Sequence, residues 1–500
     1  MLHRRSAGIL MHPTSLPGPG GVGDLGPSCH QFLDFAAAAK ASLWQVLPLG
    51  PTGYGGSPYQ CTSSFAGNPL LISLEWLRDH GLLDRDVLQH PLPSGAHTML
   101  REAASLKERA LQAAFDRFRA QGSAGQWSEE FSRFKDEQSW WLEDYALCAA
   151  LKEEHDGAPW FEWPQELRAR DVDALRDAGL RRGDRIEYRR FVQFVWWLQW
   201  QEVRAEARRR GILIMGDIPI FPAHDSADVW ANQAFFKLDE KGQPFMVAGV
   251  PPDYFSKTGQ LWGNPVYRWD VIEDTGFDWW AKRLGYTFSL VDIIRLDHFR
   301  GFMAAWEVPA GEMTAVHGQW VPGPGRRIFE HLGRTVGTLP IVAENLGVIT
   351  PDVEAARQEF AFPGMNILQF AFDSDSANPH LPHNQGKDVV TYTGTHDNDT
   401  TVGWFAAAGD GVKGYLREYL DRSEPRIPYD LIRLAYASAA NTAVVPLQDV
   451  LGLDGNARMN YPGRQEGNWG WRFTADQLQD HHVRPLADLA RAFGRLPESE

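Results

Sequence analysis

Apolar runs of strand length recur along the chain, and turn residues close each one. They read GILMHPTS at 8–15, LWQVLPLGP at 43–51, ILIMGDIPIF at 212–221 and DIIRLDHF at 292–299. PIVAENLG follows at 340–347, MNILQFAFD at 365–373, VVTYTGTHDND at 389–399 and TAVVPLQDVLG at 442–452. Near-continuous apolar character, without polar alternation, marks strands buried on both faces, as in a parallel sheet covered by helices. Helix-like patterns lie between most of them, including 28–42 and 350–360. In the latter, Thr350 and Pro351 supply an N-cap and a first-turn proline. Eight such strand units predict an α/β fold, a (β/α)8 TIM barrel, with a doubly wound open sheet as the alternative.

The spacing is uneven. A mostly helical pattern over 75–210 separates the second and third strands, and an aromatic, Pro- and Gly-rich stretch at 222–285 follows the third. A smaller insertion falls at 300–335. These predict one catalytic barrel over 1–500 with large insertions on the strand-to-helix loops, around the mouth where barrel enzymes do chemistry.

Composition narrows the function classes. At 43% hydrophobic and 23% charged, the chain is an ordinary folded one, and its net charge of -15 argues against nucleic acid as a partner. The basic run RAEARRRG at 204–211 reads as the last turn of a helix stopped by Gly211. Three cysteines without a C-x-x-C pair offer no zinc framework and fit a reducing compartment. No signal-peptide core or membrane-length apolar run occurs, so the expected location is cytoplasmic, with no membrane association. Twenty tryptophans, several clustered as SWW, WFEW and VWWLQW, serve core packing first and sugar-stacking platforms second.

Four strand ends carry acids. In IIRLDHF, alternation places Ile293, Arg295 and Asp297 on one face. A guanidinium one pleat from a carboxylate favours the ionised form, which suits a nucleophile or a stabiliser of positive charge; a plain strand-end salt bridge is the alternative. Glu344 closes the drier strand IVAEN, where desolvation could keep a carboxyl protonated. His396, Asp397, Asn398 and Asp399 follow VVTYTG, and Asp217 lies in GDIPIF. Several carboxylates without a metal framework suit glycoside cleavage, in which one acid protonates the leaving oxygen and another attacks. Rival motifs are weaker. G-x-G-x-x-G at 18–23 contains Pro19 and lacks an acid at the end of the next strand, the copy at 409–414 follows an alanine run rather than a strand, and DSDSAN at 373–378 lacks the glycine and glutamate of a calcium loop. A metal-dependent hydrolase using His12, His298 and His396 has no His-x-His support.

DIIRLDHFR, IVAENLG and YTGTHDNDT resemble the active-site segments of the 4-α-glucanotransferases, or amylomaltases, of the α-amylase superfamily. GILMHPTSLPG, WQVLPLGPTGYGGSPYQ, GDIPIF with DSADVW, GVPPDYFSKTGQLWGNPVYRW, RMNYPG and NWGWR extend the resemblance over the chain except about 75–210. The resemblance implies Asp297 as nucleophile, Glu344 as general acid/base and Asp397 as transition-state stabiliser. It implies substrate contacts from Tyr59, Asp217, Arg295, His298 and His396, from Tyr254 and Phe255 in a loop over bound glucan, and from Ser57, Asp373 and Asn468. It implies no metal or organic cofactor, α-1,4-glucans and maltooligosaccharides as substrates, and glucose as an acceptor. A retaining α-glucan hydrolase and a non-catalytic glucan-binding barrel are the competing readings. His224, in FPAHDSADVW, departs from the family pattern at a place that bears on acceptor contacts.

Overall fold

The computed structural model describes residues 3–88, 91–93, 95–122, 125–252, 256–464 and 466–497. Each apolar run contains one strand of a parallel sheet: β1 (Ser6–Leu10), β2 (Leu43–Gln45), β3 (Leu213–Ile218), β4 (Ile293–Leu296), β5 (Ile341–Ala343), β6 (Gly364–Ile367), β7 (Val389–Tyr392) and β8 (Thr442–Pro446). Their hydrogen-bonded order is β6-β7-β8-β1-β2-β3-β4-β5. The Ala343 N–H donates to the Pro363 carbonyl at 2.8 Å and joins β5 to β6. The order is therefore circular, without the reversal of a doubly wound sheet, and the fold is a (β/α)8 barrel.

Helices Pro27–Ala38, Gly183–Arg209, Asp278–Leu290, Arg326–Thr335 and Pro351–Glu359 precede β2 to β6 in turn, and Tyr429–Ala437 precedes β8. The β6–β7 connection has no α-helix, only a short 3-10 turn at Leu368–Phe370. Its sequence after Phe372 is dense in Asp, Ser, Asn and Pro, which favour turns over helix. Asn378 pins it by donating to the Phe370 carbonyl at 2.8 Å. Thr350 sits at the N-cap of Pro351–Glu359, but its side chain makes no capping bond; the Arg300 guanidinium donates to its hydroxyl at 3.4 Å.

The basic run behaves as a helix end and does more. Gly183–Arg209 stops before Gly211, whose φ of +70° a glycine adopts without strain. Arg204 and Arg208 reach across to the buried Asp292 carboxylate, which also accepts the Ile214 N–H at 2.9 Å. The stretch DIIRLDHFR thus begins with an ionic anchor at one end of the barrel and delivers its other charges to the opposite end.

Helices Leu100–Gln121 and Ser128–Glu154 pack against Gly183–Arg209 through interleaved Phe118, Phe131, Phe191 and Phe194 rings. Lys107, only 2% exposed in its side chain, bridges this helical region to the barrel by donating to Asp24 at 2.8 Å and to the Ile72 carbonyl. Trp141, Trp160, Trp163, Trp196 and Trp200 are buried, so the tryptophan clusters act mainly as packing. A second, antiparallel sheet forms from Gln260–Pro265, Met246–Val250, Ala304–Pro309 and Gln319–Pro322, in that order. Chain on either side of β4 contributes to it, which places it over the β3–β4 edge of the barrel. No helix among the described residues is long and apolar enough to cross a membrane.

Candidate active site

Asp217 lies in β3, and Asp297, Glu344 and Asp397 follow β4, β5 and β7, all at the C-terminal mouth. The parallel register sets their neighbours. Asp217 is paired with Arg295 across β3 and β4, and Leu296 with Ala343 across β4 and β5. The ladder continues one step beyond both strands. The Asp297 N–H donates to the Ile218 carbonyl and the Glu344 N–H to the Leu296 carbonyl, each at 3.0 Å. Asp297 and Glu344 therefore leave the barrel side by side.

The turn after Asp297 joins them. His298 adopts a left-handed backbone, φ +51° and ψ +53°, which aims its N–H at Glu344 Oε2, 2.9 Å away. Gly301 makes room for this turn, since a Cβ there would lie 2.9 Å from the His298 ring. The Leu346 N–H donates to Glu344 Oε1 at 2.8 Å, so both carboxyl oxygens are held. Burial pushes the Glu344 carboxyl up to about 7; the nearby Asp297 charge adds to this, while Arg295 and the two amides oppose it. Desolvation wins, and the group is poised to exchange a proton near neutrality.

Arg295 is the electrostatic hub. Its guanidinium donates to both oxygens of Asp217, at 2.7 and 2.9 Å, and is ion-paired to Asp297 Oδ1 at 2.9 Å. Burial works against the cation, yet Asp217 and Asp297 hold it well above its usual value. The Tyr59 hydroxyl donates to Asp217 Oδ2 at 2.8 Å. One cation thus fixes Asp297 while sharing Asp217 with a phenol.

Asp397 is placed by the chain's C-terminal part. Asn460 Nδ2 donates to its Oδ1 at 2.7 Å, and Arg458 donates to its carbonyl at 2.6 Å. His396 Nε2 lies 3.5 Å from the same Oδ1. The buried His396 ring stacks on Tyr59, centroids 5.1 Å apart, with Trp469 against both. His298 meets Trp262 edge-on at 4.8 Å. Burial lowers both histidines, His298 to about 4 against the pull of Asp297, so both are neutral at pH 7 and can donate one N–H each.

The remaining predicted residues divide. Ser57 accepts the Tyr59 N–H at 3.2 Å and shapes the loop that presents that ring. Asn468 accepts the Tyr461 N–H at 2.8 Å and donates to the Arg464 carbonyl, shaping the segment that carries Asn460. Asp373 is exposed and accepts from Asn378 at 3.1 Å; no described hydrogen bond or ion pair joins it to the other acids. Tyr254 and Phe255 lie outside the described residues. His224 stacks on Phe161 at 4.2 Å and reaches the Gly242 carbonyl at 2.7 Å, so it tacks two insertions together. Sequence reasoning missed Asn460, Arg458, Trp469 and Trp262. The first three stand in RMNYPG and NWGWR, but nothing local shows that those segments return to β7. Among the described residues, no group of three or more His, Cys, Asp or Glu side chains is arranged to hold a metal ion.

The elevated Glu344 carboxyl gives a pH dependence with a definite sign. If Glu344 acts as a general acid, the form it needs is the protonated one, which is lost as pH rises through about 7. An activity that depends on it is expected to fall tenfold in kcat/KM per pH unit above that value, as steady-state rates across pH 5–9 will test. A flat profile from pH 7 to 9 would contradict the acid role.

Comparison with known proteins agrees with this geometry. Residues 11–478 match the Glyco_hydro_77 model, described as 4-alpha-glucanotransferase. A 4-alpha-glucanotransferase of Synechocystis is 51% identical over 99% of both chains. One from Thermus thermophilus is 49% identical over 98% of this chain and 99% of the relative. The structure of an amylomaltase from Streptococcus agalactiae in complex with acarbose superposes with a TM-score of 0.95 at 35% identity, covering 98% of this chain and all of that one.

Proposed function

The chain belongs to the 4-alpha-glucanotransferase family, and from that premise we propose that it moves a segment of an α-1,4-glucan to the 4-hydroxyl of another glucan or of glucose by a retaining double displacement. The observation that carries this reading is a pair of acids side by side in opposite surroundings: Asp297 is ion-paired to Arg295, whereas burial raises Glu344 toward neutrality.

In the first step an Asp297 carboxylate oxygen bonds to the anomeric carbon, the bond to the leaving 4-oxygen breaks, and Glu344 gives that oxygen its proton. In the second, Glu344 takes the proton of the incoming 4-hydroxyl, whose oxygen bonds to the anomeric carbon and displaces Asp297. Asp397, held by Asn460, supplies negative charge as the ring becomes oxocarbenium-like. Neutral His298 and His396 donate to sugar hydroxyls, and Tyr59 offers its ring. This chemistry uses side chains alone. Bulk water is at about 55 M, so transfer over hydrolysis requires that the mouth position the acceptor and hold water off. The β3–β4 insertion, whose Trp262 meets His298 edge-on at 4.8 Å, would supply the surface for this.

Maltotriose provides the test. Transfer yields longer maltooligosaccharides together with glucose, resolved by chromatography over time. Glucose and maltose alone would identify a retaining hydrolase, and no turnover a glucan-binding barrel.

A further inference from the structure

Behind the His396 ring, away from Tyr59, lies a cavity of about 20 Å³ lined by His12, Ser15, His396, Gln448 and Arg458 among others. His12 and Ser15 come from the loop after β1, so the cavity joins β1 and β8 to the β7 loop carrying Asp397. Three of its side-chain atoms, His12 Nδ1, Ser15 Oγ and His396 Nδ1, are buried and have no hydrogen-bond partner among the described residues. All three residues are more than nine-tenths buried. Two other polar side chains lining the cavity are engaged elsewhere: Gln448 donates to the Ala457 carbonyl, and Arg458 to the Asn460 and Asp397 carbonyls. A water site needs about 10–15 Å³ and two to four polar partners. The cavity has room for one molecule, and three of the residues lining it each carry an unpartnered polar atom.

We propose that this cavity binds one ordered water bridging His12, Ser15 and His396, and that His12 and Ser15 thereby act as positioning residues that keep the His396 proton on Nε2. A neutral imidazole has one donor and one acceptor nitrogen. His396 Nε2 faces Asp397 Oδ1 at 3.5 Å, and a carboxylate only accepts, so the useful tautomer carries its proton there. Nδ1 must then accept, and in a buried site that acceptor needs a donor. A water receiving an N–H from His12 Nδ1 can donate one O–H to His396 Nδ1 and the other to Ser15 Oγ. Burial keeps His12 neutral, at about 3, with the neighbouring His396 lowering it further, so the bridge carries no charge. Loss of His12 removes the donor that orders the water, and loss of Ser15 removes one of its acceptors; either weakens the donation to His396 Nδ1 and favours the opposite tautomer, which points a lone pair at Asp397.

The kinetic arm of the test rests on the transferase reading above; the spectroscopic arm does not. His12→Phe is expected to lower kcat for maltotriose about tenfold with KM within about twofold, and Ser15→Ala to act in the same direction by less. His12→Asn, which keeps a donor, should restore most of the rate. In 15N-histidine-labelled protein, the His396 signals, assigned through His396→Asn, should show a single tautomer protonated at Nε2, shifting to an averaged pattern in His12→Phe. If His12→Phe does not fold, Ser15→Ala carries both readouts. An unchanged His396 signature in the folded variants would overturn the proposal. So would a loss of kcat that His12→Asn does not rescue. Activity in the wild type with silent variants would remove this inference and leave the transferase reading standing.

Discussion

Glu344→Gln is expected to lower kcat for maltotriose disproportionation by about 10⁴-fold while leaving maltooligosaccharide affinity within about twofold. The amide keeps the shape, and its one oxygen can still accept from one of the His298 and Leu346 amides, which hold separate oxygens of the native carboxyl at 2.9 and 2.8 Å; the NH2 group then faces the other. It cannot give a proton to a departing sugar oxygen or take one from an acceptor. In the proposed double displacement both half-reactions suffer, because one group serves each in turn. The role can be isolated chemically. An α-maltosyl fluoride donor leaves as fluoride without needing an acid, and azide attacks without needing a base. The variant supplied with both should recover turnover and release a maltosyl azide of retained configuration. Isothermal titration will measure binding and chromatography the products. Wild-type-like turnover of maltotriose would end the assignment of Glu344. Failure of the fluoride and azide pair to restore turnover would show that the loss lies outside proton transfer.

Arg295→Met should cost both activity and stability. Its guanidinium is the described cation that touches Asp217 and Asp297 together, and the side chains of Arg295 and Asp217 are 4% and 0% exposed. Removing one partner of a buried ion pair leaves the other uncompensated and destabilises by about 3–5 kcal/mol. Asp297, the proposed nucleophile, simultaneously loses the group that fixes its carboxylate, at an expected cost of about 10²–10³ in kcat by analogy with removal of a preorganised electrostatic donor. A second substitution separates the two effects. Asp217→Asn in the Arg295→Met background removes the stranded charge and should return much of the stability, measured by urea denaturation. It should not return the rate. A single variant within about 1 kcal/mol of wild type would show that Asp217 finds another way to be neutralised.

The strands were legible because each is short, apolar and buried on both faces, a property its own residues carry. All eight runs hold a barrel strand, and the polar residues closing them lie at the mouth, so four acids were legible as strand-end acids. The helix absent between β6 and β7 was legible only as the lack of a pattern. What Asp217 does was not legible. Its proximity to Arg295 follows from the β3–β4 register, which pairs residues 78 positions apart. Asn460 on Asp397 spans 63 positions and Glu344 on the His298 amide 46, and neither separation leaves a local trace. Asp373 shows the converse. It closes an apolar run as Asp297 does, yet it is exposed, and no described hydrogen bond or ion pair joins it to the other acids.

By itself the amino-acid order determined the number of barrel strands, the parallel covered sheet and which acids stand at strand ends. These depend on side-chain polarity read a few residues at a time. The tertiary structure decided which acid is ion-paired and which is raised toward neutrality, how His396 is held, and that chain on both sides of β4 shares one sheet. Protonation and orientation are set by the groups that arrive from elsewhere in the chain and by the water their arrival removes. Neither quantity exists until the barrel closes.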